Sequence, residues 1–173
     1  YQALRINDIA QAREDLSMIV ARDTDRLNEP EIIRATVETV AESSMDGIVA
    51  PLFYAFLGGP ILVWVYKAIN TLDSMVGYRS ERFVDFGRLA AKIDGWVNFI
   101  PAKLTCLVIF ISSWCCRKNW RNSVRWVSRY FIKSPRDNSE ATEATMAGAL
   151  GVQLGGLNFY NSAPVQKNII GEI

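Results

Sequence analysis

From Gly47 to Tyr66 the chain reads GIVAPLFYAFLGGPILVWVY, twenty residues without a charge. Twenty helical residues rise about 30 Å, close to the thickness of a hydrocarbon core. Four residues interrupt the run: Pro51, Gly58, Gly59 and Pro60. A smooth single span is therefore not expected. The sequence predicts a broken helix, a re-entrant pair or a helix–turn–helix. Irregular backbone at that depth must be covered by protein or line a cavity. A second apolar stretch runs from Gly95 to Cys116, with Lys103 as its only charge. A soluble helical core with two buried helices is the alternative to membrane insertion.

Charge is segregated along the chain. Residues 1–46 hold ten acids and five bases, and residues 47–78 hold only Lys67 and Asp73. Residues 117–136 hold seven bases and no acid, whereas 137–173 hold four acids and one base. The overall charge of +1 excludes a wholly basic nucleic-acid binder. Histidine is absent, which removes imidazole zinc sites, Ser-His-Asp triads and histidine general bases together. Cys106, Cys115 and Cys116 form no CxxC, and three thiols cannot build a four-cysteine zinc site. They read as small apolar residues of a helix.

Periodicity predicts an all-α fold of a single domain spanning 1–173. Its expected parts are acidic amphipathic helices over 1–46, membrane-embedded helices over 47–116, a basic interfacial helix over 117–133 and a polar segment over 134–173. In detail, residues 2–20 read as one amphipathic helix and 21–24 as a loop. Asn28 with Glu31 forms a capping box for a helix to about Met45, ended by Asp46-Gly47. A helix from Pro60 to about Met75 follows and is closed by Gly77-Tyr78. Residues 80–94 and 96–116 are expected as two helices. The basic helix carries an apolar stripe of Trp120, Val124, Val127 and Phe131, beside Arg117, Arg121, Arg125 and Arg129 at four-residue spacing. A polar connector covers 134–140, a short helix 141–150, and the glycine-punctuated end shows no sustained strand alternation.

Four groupings could carry chemistry. Arg34, Glu38 and Glu42 lie at i, i+4 and i+8, with Asp46 one turn on. They are either a solvated salt-bridge stripe or a carboxylate row for Mg²⁺ or for deprotonating an amine. Lys67, Asn70, Thr71 and Ser74 form a polar stripe on an otherwise apolar helix. Such a stripe faces a partner helix, a cavity or water. Arg22-Asp23-Thr24 is either a turn device or an anion contact. Asn98, Pro101, Lys103 and Thr105 lead into the second apolar stretch, where Lys103 could also snorkel to an interface. No GxxxxGK[ST] and no GxGxxG occurs.

Several runs resemble the adenosylcobinamide-phosphate synthase family of cobalamin biosynthesis. They are Arg22-Asp23-Thr24, VETVAESSMDGIVAPLFYAFLGG (37–59), YKAINTLDSMVGYRSERFVDFG (66–87), NFIPAKLT (98–105) and MAGALGVQLGG (146–156). The resemblance covers about residues 13–105 and 146–156. It implies a multi-pass enzyme of the cell (inner) membrane, with broken or re-entrant helices and its site facing the cytoplasm. That family joins adenosylcobyric acid, through a propionate carboxylate, to aminopropanol or its phosphate. The resemblance thus implies a corrinoid and aminopropanol phosphate as substrates, and ATP with Mg²⁺ to activate the carboxylate through an acyl phosphate. It implies the lipid bilayer and other membrane enzymes of the pathway as partners, and no nucleic acid.

On that resemblance Glu38, Glu42, Asp46, Lys67 and Asp73 are the candidates for the chemistry, with Glu42 and Asp46 for the metal. Arg22, Asp23, Asn70, Thr71, Ser74, Asn98 and Lys103 are the candidates for substrate binding. Ser43 stands where the family usually has Asn, and Lys103 where it has Arg. The stretch SPRDNSEATEAT (134–145) replaces a block that usually contains Gly-Trp-Pro. The chain starts at Tyr1 without the family's N-terminal hydrophobic segments, so either a fragment of a longer protein or a divergent relative is expected. The alternative within the same superfamily is a non-catalytic inner-membrane regulatory protein of the AmpE type.

Overall fold

The computed structural model describes residues 2–76, 84–130 and 138–171. Its elements are α1 (Gln2–Arg5), α2 (Ile9–Ser17), α3 (Glu29–Ser43), a π-helical turn (Ser44–Val49), α4 (Ala50–Val76), α5 (Val84–Cys115), α6 (Trp120–Tyr130), α7 (Asn138–Leu150), β1 (Leu154–Tyr160) and β2 (Ala163–Ile170). The fold is mostly helical, but the all-α expectation is corrected by the antiparallel β1–β2 hairpin. Its two-residue turn, Asn161-Ser162, has positive φ at both positions (50° and 64°), the geometry that matches strand twist.

The first expected helix is two pieces. Asn7 adopts a φ of 60° and Asp8 then caps α2, its carboxylate accepting from the Gln11 N–H at 3.0 Å. The Asn28–Glu31 capping box is present, with Pro30 in the first turn of α3 where its missing N–H costs nothing. Asp46-Gly47 does not end that helix. The chain passes through the π turn directly into α4, so a single helical path carries the acid row into the apolar run.

The apolar run breaks where the glycines predicted it would. Gly58 (φ −158°, ψ 25°) and Gly59 (φ 61°, ψ −154°) leave helical geometry, and Pro60 opens the second part. Gly59 sits in a region that a side chain makes costly. Residues 80–94 and 96–116, expected as separate helices, are joined in α5, which continues through Pro101. Residues 77–83, including the expected Gly77-Tyr78 closure, and 131–137, with Phe131 and most of the 134–140 connector, lie outside the described residues. The basic helix begins at Trp120 rather than at 117, because Arg117 turns into positive φ (52°) after α5.

Two stretches, Glu29–Val76 and Gly87–Cys115, contain helix long and apolar enough to cross a membrane. Their outward faces are bare: Phe56 is 90% and Trp64 77% exposed. Exposed apolar surface on this scale fits a lipid environment rather than water. The buried cores lie elsewhere. Ala12, Leu16, Leu27, Ile32 and Ala35 join α2 to α3. Trp126, Ala144, Ala147, Leu154 and Ile170 join α6, α7 and the hairpin. Helix α7 is the hub. From Ala141 to Ala149 nearly every residue is buried, because Ala, Thr and Gly let α3, α5, α6 and the hairpin approach its backbone. All three cysteines are free, with Cys106 buried.

Candidate functional site

Two polar networks lie on either side of the π turn. The first is anchored by Glu38 on α3, 1% exposed. Its carboxylate takes a charge-assisted bond from Arg22 Nη2 and a second from the Gly155 N–H at 2.7 Å. Arg22 Nη1 donates to Asn158 Oδ1 at 2.7 Å. Arg34, one turn before Glu38, donates to the Leu157 carbonyl at 3.1 Å and to Asn158 Oδ1 at 3.3 Å, while its Nε is buried without a hydrogen-bond partner. The loop after α2, helix α3 and strand β1 are thus tied together by two guanidinium groups around one carboxylate and one amide. A cavity of about 600 Å³ adjoins them, lined among others by Ile33, Arg34, Leu154, Gly155, Gly156 and Ile169.

Helix α7 adds Glu143, 4% exposed, to the same region. Burial pushes its carboxyl up to about 7, with the negative charges of Glu38 and Glu42 adding to the rise and Lys167 of β2 opposing it. Lys167 is itself held above its ordinary value, because the acids around it outweigh its own burial. Glu42 lies between the networks, with Asp46, Lys167, Arg22 and Glu38 around it.

The second network bridges α4 and α5. Asp94 is its centre: one oxygen accepts from Asn98 Nδ2 at 2.9 Å and the other from Asn70 Nδ2 at 3.4 Å. Lys67 Nζ donates to Asn70 Oδ1 at 3.2 Å. The Tyr66 hydroxyl lies 3.0 Å from Asn98 Oδ1 and 3.2 Å from the Asp46 carbonyl. The Asp46 carboxylate faces Lys67, Asn70 and Asp94. Tyr54 stacks on Tyr66 with ring centroids 5.2 Å apart. Tyr66, Asn70 and Asn98 are all buried. Two half-buried carboxylates and two buried amides therefore meet where α4 and α5 face each other, with the exposed Lys67 ammonium at their edge.

The candidates named from sequence divide accordingly. Arg22 and Glu38 fall in the first network, Glu42 between the two, and Asp46, Lys67, Asn70 and Asn98 in the second. Asp23 instead clamps the hairpin turn: its two oxygens accept from the Asn161 and Ser162 N–H groups at 3.2 and 2.7 Å. Lys103 lies 4.3 Å from the Phe99 ring centroid. Thr71 is exposed, and the Ser74 hydroxyl returns to the Asn70 carbonyl at 2.9 Å. Asp73 is half-buried and feels the negative charge of Asp94.

Sequence reasoning missed Asp94, Glu143, Asn158 and Lys167. Asp94 and Asn98 stand at i, i+4 on an apolar helix, and Glu143 interrupts the small-residue run ATEATMAGAL. Either pattern is a usable signal. Asn158 and Lys167 gave none, because the hairpin that places them was not foreseen.

The family model described as CobD/Cbib protein matches residues 1–173. The Cobalamin biosynthesis protein CobD of Clostridium perfringens is 49% identical over 169 residues, covering 98% of this chain and 54% of that protein. The CobD of Yersinia enterocolitica is 46% identical over 174 residues, covering 99% and 54%. The Cobalamin biosynthesis protein CbiB of Salmonella typhi is 49% identical over 171 residues, covering 98% and 53%. The chain spans about half the length of the curated relatives it matches. No solved structure matches. With the whole chain matched by the family model and close to half its residues shared with these relatives, it belongs to the CobD/CbiB family.

Proposed function

We propose that this chain forms the polar site of a membrane enzyme of cobalamin biosynthesis that makes an amide bond. The carboxylate of adenosylcobyric acid is joined to the amine of aminopropanol or its phosphate, giving adenosylcobinamide or its phosphate. The observation that carries this reading is the Asp46–Lys67–Asn70–Asp94–Asn98 network between two apolar helices. Membership in a family whose relatives are named for cobalamin biosynthesis supports it.

Amide formation from a free carboxylate needs activation, and ATP with Mg²⁺ supplies it when bound. Among the described residues no three carboxylate or thiolate groups gather as a metal cage. Mg²⁺ carried on nucleotide phosphates needs only one or two protein carboxylates, so Asp46 and Glu42 fit it. Lys67 offers a point charge to a phosphate. An acid of the Glu42 and Glu143 group takes the proton of the incoming ammonium. Arg22 is engaged by Glu38 and Asn158, so its part is to hold those groups in place. The apolar cavity beside Arg34 is of a size usual for small-ligand pockets and would seat part of the corrinoid. The chain is embedded in the cell membrane as a multi-pass protein, with its site toward the cytoplasm.

The test is an ATP-dependent condensation on membranes, supplied with adenosylcobyric acid and aminopropanol phosphate and read by product mass. It is run on this chain and on a full-length relative whose matching half is replaced by this chain. Product lost with Glu42→Gln or Lys67→Met is expected. No product from either protein would overturn the reading.

A further inference from the structure

Helix α6 is the most amphipathic of the described helices, yet its apolar stripe is only partly covered: Val124 is exposed, and Trp120 and Val127 are half-buried. The residues it turns toward α7 are Ser123 and Trp126: Ser123 is fully buried and donates to the Thr145 carbonyl at 3.1 Å, and Trp126 is 8% exposed. Val124, expected in the apolar stripe, is 42% exposed instead. Trp120 is half-buried, its ring edge-on to Phe110 of α5 at 6.1 Å. Beside this open apolar edge stand exposed bases. Arg117 and Lys118 follow α5 directly, and the Arg121 guanidinium lies 5.3 Å from the Trp120 ring centroid. The edge is continuous with the bare face of α5, where Leu107, Ile111 and Trp114 are 51%, 45% and 61% exposed.

A hydrophobic face ending in a tryptophan pair and then a cluster of cations has the layering of a leaflet boundary. Apolar side chains meet acyl chains, indole rings meet the headgroup level, and cations meet phosphates. We propose that Arg117, Lys118, Arg121, Trp120 and Val124 form a binding surface for anionic phospholipid headgroups of the leaflet in which α5 ends. The absence of any acid from 117 to 136 supplies the charge complementarity. A zwitterionic headgroup would gain little there, because the attraction comes from net negative surface potential. This surface goes beyond the condensation reading and rests only on α5 lying in a bilayer.

The test reconstitutes the chain in phosphatidylcholine and phosphatidylglycerol at equal amounts, extracts it in mild detergent, and weighs the co-purifying phospholipids. Phosphatidylglycerol is expected to be enriched several-fold, with about a fivefold loss of apparent affinity for each charge removed. Arg117→Gln/Lys118→Gln/Arg121→Gln should return the lipid ratio to that of the input, while Arg117→Lys/Arg121→Lys keeps the enrichment. If the triple variant does not fold, the unaltered chain in 0.5 M salt must lose the enrichment instead. An input-like ratio for the unaltered chain, or enrichment untouched by salt, overturns the proposal. Displacement of phosphatidylglycerol by a short DNA duplex at physiological salt overturns it in favour of nucleic acid. A carbonate wash separates the two readings. Release of the chain refutes the span, and retention without enrichment refutes the headgroup surface alone.

Discussion

Arg22 and Glu38 form an ion pair with almost no access to solvent, their side chains 6% and 2% exposed. The pair joins the loop before α3 to the helix itself, and Glu38 passes the link on to the Gly155 N–H of β1. Removing one partner strands the other charge in the interior. Arg22→Met is expected to cost about 3–5 kcal/mol of stability. Arg22→Met combined with Glu38→Leu should recover much of that loss. Denaturation midpoints of the two single variants and the double variant in mild detergent would check it. Additive losses would show that the pair is not coupled.

Glu143 predicts a pH dependence of stability with a definite sign. Its folded-state value near 7 lies above the ordinary 4.5. The protonated form is the one favoured by folding, so its contribution is full below pH 4.5 and is lost as pH rises through 7. Lys167, held above its ordinary value, stays charged across this window. The loss amounts to about 3 kcal/mol at most. Glu143→Gln should therefore be less stable than the unaltered chain at pH 5 by little or nothing, and more stable at pH 8. Melting curves at the two pH values would read the crossover.

Gly148 permits the contact between α6 and α7. A Cβ there would stand 2.7 Å from the Asn122 carbonyl oxygen and 2.8 Å from the Ser123 Cα, both backbone atoms. Gly148→Ala must push the helices apart, at about 1–3 kcal/mol. A lowered melting temperature is expected, together with weaker protection of the α6 amides in hydrogen exchange. An unchanged melting temperature would mean that α7 is not packed against α6 in this register.

Asp94 holds both Asn70 and Asn98, so it positions groups rather than reacting itself. In the condensation proposed above, Asp94→Ala is expected to lower the rate by about 100-fold, as loss of alignment does elsewhere. Asp73→Asn, outside this set of hydrogen bonds, should change it by less than about threefold. Equal losses in the two variants would remove the distinction drawn between them.

The parts of this fold that were legible in the sequence depend on local chemistry. Asn28, Glu31 and Pro30 announce the start of α3, and Gly58-Gly59-Pro60 announces the break in α4, because each acts within one turn of itself. The polar stripes were legible as stripes, since helical spacing alone puts Lys67 and Asn70 on one side. Their partners were not. Asp94 is 24 residues from Asn70, and Asn158 is 136 residues from Arg22. The hairpin was hidden for a related reason. Gly155 and Gly156 interrupt its alternation, and Gly155 fits only because its missing Cβ would have met the Asn168 carbonyl oxygen at 1.9 Å. The role of Asp23 is hidden in the same way, because the turn it holds lies 138 and 139 residues away.

The π turn at Ser44–Val49 places one extra residue in a helical path that otherwise runs regularly from Glu29 to the break at Gly58. One residue is worth about 100° of rotation. Glu38, upstream of that insertion, looks toward the hairpin, and Asp46, within it, looks toward α5. The turn thus works as a phase shifter, letting a single rod address two neighbours that lie in different directions. Deleting one residue between Ser44 and Val49 would restore the ordinary pitch and swing everything downstream out of step. The chain would keep its helix and lose the alignment between its two halves.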